Sequence, residues 1–178
     1  MGGVTKQLAE FCAGTSIAAL PAEVPARVRL LLVDLLGCIV RANRDAPAAT
    51  ALKKSCRALG FGGGTHAVFG DASEYSVAGA TFLNGALAHS LDFDDTHAAG
   101  TLHPGAPVIP TAIAAGELAG ASGAEVLAAI VAGYETACRI ALALPAGDHY
   151  QRGFHPTATC GVFGAAAAAG RALGLNAE

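Results

Sequence analysis

The sequence predicts an all-α fold, a compact helical domain rich in Ala and Gly. Of its 178 residues, 53% are hydrophobic and 14% charged, which supplies one sizeable buried core and argues against disorder. Apolar stretches of helical length recur, crossed by charges at helical rather than alternating spacing. Small residues crowd those same stretches, so neighbouring helices can approach closely.

The elements follow in order. Residues 23–42, EVPARVRLLLVDLLGCIVRA, place Arg27, Asp34 and Arg41 seven apart on one narrow stripe, with nearly everything else apolar. This spacing predicts a mostly buried helix, with Pro25 in the first turn, where its missing N–H costs nothing. A second helix is expected over about 46–59. GFGGGTHAVFGD then reads as a glycine-rich loop with a short extended piece at Thr65 to Phe69. It lacks the Lys-Ser/Thr of a phosphate loop and the strand–turn–helix context of GxGxxG, so it implies no nucleotide.

Asp71 and Glu74 have capping-box spacing ahead of YSVAGATFLNGALAHSL, predicting a helix that runs to about residue 90. A helix near 107–119 follows, then one over 123–144 with Ser122 as N-cap, whose only charges are Glu125 and the i,i+4 pair Glu135 and Arg139, a surface suited to a central position. PAGDHYQRGFHP reads as a polar loop. A last helix is predicted over about 156–173, stopped by Gly174. Asn176 then resembles a fresh N-cap, so residues 1–178 are expected to form a single helical domain truncated at its C-terminus.

Eleven Lys and Arg against fourteen Asp and Glu give a net charge of −3 with no basic run, which offers nucleic acid no footprint. The N-terminus lacks the basic and apolar regions of a secretory signal, and charges interrupt every apolar run, so a cytoplasmic protein with no membrane partner is expected. Five widely spaced cysteines without a CxxC suggest buried free thiols rather than zinc or disulfides.

The chemistry concentrates in AHSLDFDDTHAAGTLHPGAP, residues 88–107. His103-Pro104 and His155-Pro156 each precede an apolar helix, and proline keeps the preceding residue out of the helical region. Each imidazole thus stands at a helix start, where free N–H groups and the dipole favour an anion. The plainer alternative is a helix-entry sequence carrying a surface histidine. If the preceding helix extends a turn, His89 and Asp92 share a face at i,i+3 and Asp92 can orient an imidazole. The aspartates also read as a solvated loop, or, with His97 and His103, as ligands for a divalent ion: Asp92, Asp94 and Asp95 supply oxygens, but no rigid i,i+4 ligand pair is present. His66 and His149 read as surface or structural, and Ser90 lacks a nucleophile-elbow context.

LNGALAHSLDFDDTH, HPG, GYE and GFHPTATCGVFGAAAAAGRALGL, in this order and with LLVDLLGCIV upstream, resemble the N-terminal helical part of the MmgE/PrpD family. The resemblance implies a helical domain, with the family's smaller α/β lid absent from these residues, and a homodimer. It also implies a cofactor-independent lyase of the 2-methylcitrate dehydratase type acting on a small di- or tricarboxylic acid, with no metal. Carried over by motif position, Asp92, Thr96, His103 and His155 line the substrate pocket, and His97 is kept beside them as a substrate-binding candidate. His103 is then assigned proton transfer and His155 substrate binding or the partner acid/base. Asp92 orients an imidazole and Thr96 donates a hydrogen bond. The alternative is a catalytically incomplete scaffold or dimerisation fragment of such an enzyme.

Overall fold

The computed structural model describes residues 3–178, which contain eight α-helices and one two-stranded sheet among the described residues. Helix α1 (Val4–Gly14) precedes α2 (Glu23–Asp45) and α3 (Ala49–Ala58); β1 (Gly62–Ala67) and β2 (Glu74–Tyr75) pair antiparallel, with a register irregularity between Gly62 and His66. Helices α4 (Val77–His89), α5 (Gly105–Ala119), α6 (Gly123–Leu142), α7 (Ala146–Gln151) and α8 (Pro156–Ala172) complete the chain. No helix among the described residues is long and apolar enough to cross a membrane.

The centre is α6, whose Ala128 to Gly133 and Ala137 are buried. Its start has the predicted cap: Ser122 Oγ accepts from Glu125 N at 3.3 Å, and the Glu125 carboxylate returns to Ser122 N at 2.7 Å. Helix α8 packs on it more extensively than any other element. The contact is made by facing glycines: a β-carbon at Gly133 would lie 2.8 Å from the Gly164 carbonyl oxygen, and one at Gly164 would lie 2.7 Å from that of Gly133. Helix α5 packs against α8 in turn, with Pro107 over Gly161, and α4 against α5, with Gly85 over the Ala106 carbonyl. Small residues therefore stack α4, α5, α8 and α6 backbone against backbone. Helix α8 ends as predicted at Gly174 (φ +71°), where Gly174 N and Leu175 N cap the Arg171 and Gly170 carbonyls.

Three expectations are corrected, and one helix is added. Helix α2 is not mostly buried: one stripe, Val28, Leu35, Ile39 and Ala42, faces the core, whereas Leu30 and Val33 are 63% and 68% exposed. The neighbours α3 to α6 cover only one side of it. Helix α4 starts at Val77, not at Asp71, because Glu74–Tyr75 pair with β1. Ser76 is its N-cap, accepting from Gly79 N at 3.2 Å, and Asp71 instead accepts from Ser73 N, from the buried Tyr75 hydroxyl and from Lys53. The segment before α8 is not all loop, since α7 forms within it. The first helix, α1, had no counterpart in the sequence reading; it docks through Cys12, whose Sγ lies 3.2 Å from Thr136 Oγ1.

All five cysteines are free; Cys12, Cys38, Cys56 and Cys160 are buried and Cys138 is half-buried.

Candidate active site

The loop between α4 and α5 turns on one residue. Helix α4 ends at His89, and Asp92 adopts φ +52°, a left-handed conformation that Asp tolerates better than most residues. This reversal swings the Asp92 carboxylate into solvent, 82% exposed, and drives Asp94 inward, where its side chain is wholly buried. His89 Nδ1 lies 3.0 and 3.2 Å from the two Asp94 carboxylate oxygens. Asp94, and not Asp92, is thus the carboxylate that orients this imidazole.

His103 stands beside them at the entry to α5. Its Nδ1 is 3.5 Å from Asp94 Oδ1, 3.4 Å from the Asp94 carbonyl oxygen and 3.5 Å from Thr96 Oγ1. Its Nε2 is 3.6 Å from Asp92 Oδ1, so two aspartates flank opposite edges of one ring. The backbone N–H of His103 donates to Thr157 Oγ1 at 3.0 Å, tying this loop to the first turn of α8.

His155 is the N-cap residue of α8, with Pro156 at its first position. Its ring lies nearly parallel to that of His89, centroids 6.0 Å apart, and the His89 and His103 centroids are 4.7 Å apart. Tyr150 of α7 anchors it, the hydroxyl 2.9 Å from His155 Nδ1. The left-handed turn at Gly153 (φ +83°) folds the chain back to make that contact. His89 and His155 border an open cleft of about 560 Å³ between α4, α5 and α8, lined also by Phe82, Ala86, Pro107 and Thr157, and His103 adjoins it through its contact with the His89 ring.

The structure therefore brings together Asp92, Thr96, His103 and His155. His97 makes no contact with these rings: its Nδ1 accepts from Gly100 N at 3.0 Å and closes a single 3₁₀ turn, Ala98–Gly100, and with Thr96 it lines a second recess that includes Asp34 and Tyr134. Sequence reasoning gave His89 no role of its own and missed Asp94 as its anchor and Tyr150. His66 bonds to Glu117 at 2.7 Å, and His149 to Thr159 at 2.8 Å, whose hydroxyl also reaches the His155 carbonyl at 3.2 Å.

His89, Asp92, Asp94 and His103 each bring one ligand-type atom within 4.8 Å of the others, spacing that suits a divalent ion. The set differs from the one read in the sequence, because Asp95 and His97 point elsewhere. In the structure these groups satisfy one another by hydrogen bonds and ion pairing.

Asp95 is structural. Its carboxylate takes the Tyr134 hydroxyl at 3.1 Å and the first N–H of α5, at Gly105, and desolvation raises its pKa while those donors oppose the rise. Burial, then the Asp95 charge, drives the Tyr134 hydroxyl far above the usual phenol range. Tyr134→Phe removes one donor from a desolvated carboxylate and is expected to destabilise the chain by about 1–3 kcal/mol, read by chemical denaturation.

His155 titrates below its ordinary 6.5, through desolvation first and then repulsion from His89 and His103, against the opposing pull of Asp92. The unfolded chain takes up this proton near the ordinary value and the folded chain only at lower pH. The stability from His155 is therefore complete above about 6.5 and falls as pH drops through that value toward the folded one. An NMR titration should place the His155 midpoint below 6.5. In His89→Gln it should move upward; a midpoint that stays put would contradict the assigned repulsion.

Residues 6–178 match the family model described as the MmgE/PrpD N-terminal domain. Among curated relatives, a cis-aconitate decarboxylase-like protein, oryM, of Aspergillus oryzae is 29% identical over 192 residues, covering 99% of this chain and 38% of that protein. A cis-aconitate decarboxylase of Aspergillus terreus is 25% identical over 99% of this chain and 36% of its own length. The human cis-aconitate decarboxylase is 37% identical over 101 residues, 54% of this chain and 21% of that protein. The chain thus spans 36–38% of the length of the two Aspergillus relatives. With the family's domain matched across nearly every residue, this chain belongs to the MmgE/PrpD N-terminal domain family.

Proposed function

We propose that this chain carries the histidine-bearing part of a cofactor-independent lyase site for a small di- or tricarboxylic acid. The observation that supports it most is the convergence of His103 and His155, each at a helix start, on the ring of His89, with Asp92 and Thr96 3.6 and 3.5 Å from the His103 ring. Elimination or decarboxylation next to a carboxylate requires a proton-transferring group at carbon and donors that hold the remaining carboxylates. His103 moves the proton through Nε2, with Asp92 as its outer partner; His155 binds a carboxylate, and Thr96 supplies a hydrogen bond. In a decarboxylation the C–C bond to the departing carboxylate breaks, carbon dioxide leaves, and the electron pair left on carbon takes a proton from His103. Dehydration of the 2-methylcitrate type uses the same group to move a proton with hydroxide as the leaving group. The names of the relatives favour decarboxylation of cis-aconitate.

The whole protein is read as a cytoplasmic homodimer, for which the exposed Leu30, Val33 and Val40 of α2 offer an apolar face. A second reading, a helical scaffold fragment without turnover, is favoured by the 36–38% span. Proton NMR of the purified 178-residue chain with cis-aconitate and with 2-methylcitrate separates the two. Conversion of either acid, lost in His103→Ala, is the expected result. A folded chain that neither converts these acids nor changes its histidine signals in their presence would overturn the lyase reading.

A further inference from the structure

Asp94 is a carboxylate with none of its side chain exposed, and its side-chain partners among the described residues are imidazoles. A carboxylate and a backbone carbonyl can only accept hydrogen bonds. His89 Nδ1 faces both Asp94 carboxylate oxygens, and His103 Nδ1 faces one of them together with the Asp94 carbonyl. His89 Nδ1, which faces only carboxylate oxygens, must therefore carry a hydrogen, leaving its Nε2 to exchange protons or meet a ligand. At His103 the two Asp94 acceptors place the hydrogen on Nδ1, where the Thr96 hydroxyl at 3.5 Å can accept as well, and Nε2 turns toward the exposed Asp92 carboxylate. One buried residue thus has the Nδ1 atoms of two rings turned toward it.

His89 has the other attributes of a binding group. It lines the cleft with His155, its Nε2 makes no hydrogen bond among the described residues, and no Lys or Arg lines that cleft. Histidines are consequently the groups in the cleft wall able to meet an anion with positive charge, and an acid with two or three carboxylates draws on more than one of them.

We propose that Asp94 is the positioning residue of this site, and that His89, held by it in the same tautomer as His103, is a further substrate-contacting imidazole. The second half rests on the carboxylic-acid reading; the first does not.

Long-range ¹H–¹⁵N spectra of the histidine-labelled 178-residue chain at mildly alkaline pH test the first half without any ligand. His89 and His103 are both expected to show the Nδ1–H pattern, and an Nε2–H pattern in either ring would overturn it. This wild-type spectrum decides the tautomers even if Asp94 variants do not fold. In Asp94→Asn, one acceptor oxygen is lost, so at least one of the two rings should lose the Nδ1–H pattern while His66 and His149 keep theirs. Both rings unchanged would overturn the positioning role. Titration with cis-aconitate tests the second half: His89→Gln should weaken binding about tenfold, the loss of one charge-assisted hydrogen bond. Binding of wild-type strength would remove His89 from the contact set. Failure of both proteins to bind would count against the carboxylic-acid reading and take the His89 contact with it, with the tautomer result still standing.

Discussion

Replacing His103 by alanine is expected to lower conversion of a small carboxylic acid by about 10²–10⁴-fold, the usual contribution of one positioned proton-transfer group. The fold should survive the change. The backbone N–H that links His103 to Thr157 is retained, and Asp94 keeps its closer partner, His89. The loss should appear in kcat more than in KM, since the ring serves the reacting carbon rather than holding a distant carboxylate. His155→Ala should show the opposite weighting, with KM rising more than kcat falls. Steady-state kinetics by NMR, beside circular dichroism of each variant, check both; a His103→Ala protein with undiminished kcat would remove the proton-transfer role.

Gly133→Val is expected to be the most damaging substitution in the core. A β-carbon there would meet Val108 Cγ1 at 2.5 Å and the Gly164 carbonyl oxygen at 2.8 Å, and a backbone carbonyl cannot rotate away as a side chain can. Helices α6 and α8 would have to separate, at a cost of about 3 kcal/mol or more. For a chain of this length that lowers Tm by roughly 10 °C. The effect reaches the site, because α8 carries His155 at its start and Thr157, which receives the His103 N–H. Thermal unfolding followed by circular dichroism is the check, and a Tm within about 2 °C of wild type would show that the glycine contact is not limiting.

The parts of this fold written locally were legible in the sequence. Ser122 and Glu125 satisfy each other within one helical turn, and Pro156 and Gly174 mark the two ends of α8 by backbone chemistry that needs no distant partner. The parts that depend on distant pairing were not. Asp71 and Glu74 have the spacing of a cap, yet the pairing of Glu74–Tyr75 with β1 wins, because it buries the whole Tyr75 ring. Nor does an apolar helix surface reveal which side has neighbours: α2 is apolar nearly all round, and only one stripe of it is covered.

The site divides the same way. The motif residues Asp92, Thr96, His103 and His155 were legible as a set, and their side chains lie around the His89 and His103 rings. The pairing inside the set was not, since a helix continued past His89 would have put Asp92 beside it. Instead the left-handed turn at Asp92 exchanges the two aspartates, one outward and one inward. Tyr150 could not be read at all, because its contact with His155 exists only once α7 forms and Gly153 reverses the chain.

The central claim is that the imidazoles around Asp94 form a carboxylic-acid site. The most direct measurement is a titration of the histidine-labelled chain with cis-aconitate, following the ring signals of all six histidines. His89, His103 and His155 should shift together and saturably, while His66 and His149, bonded to Glu117 and Thr159, and His97, closing its own turn, stay in place. Signals that remain fixed throughout, or that drift equally in all six rings, would contradict it.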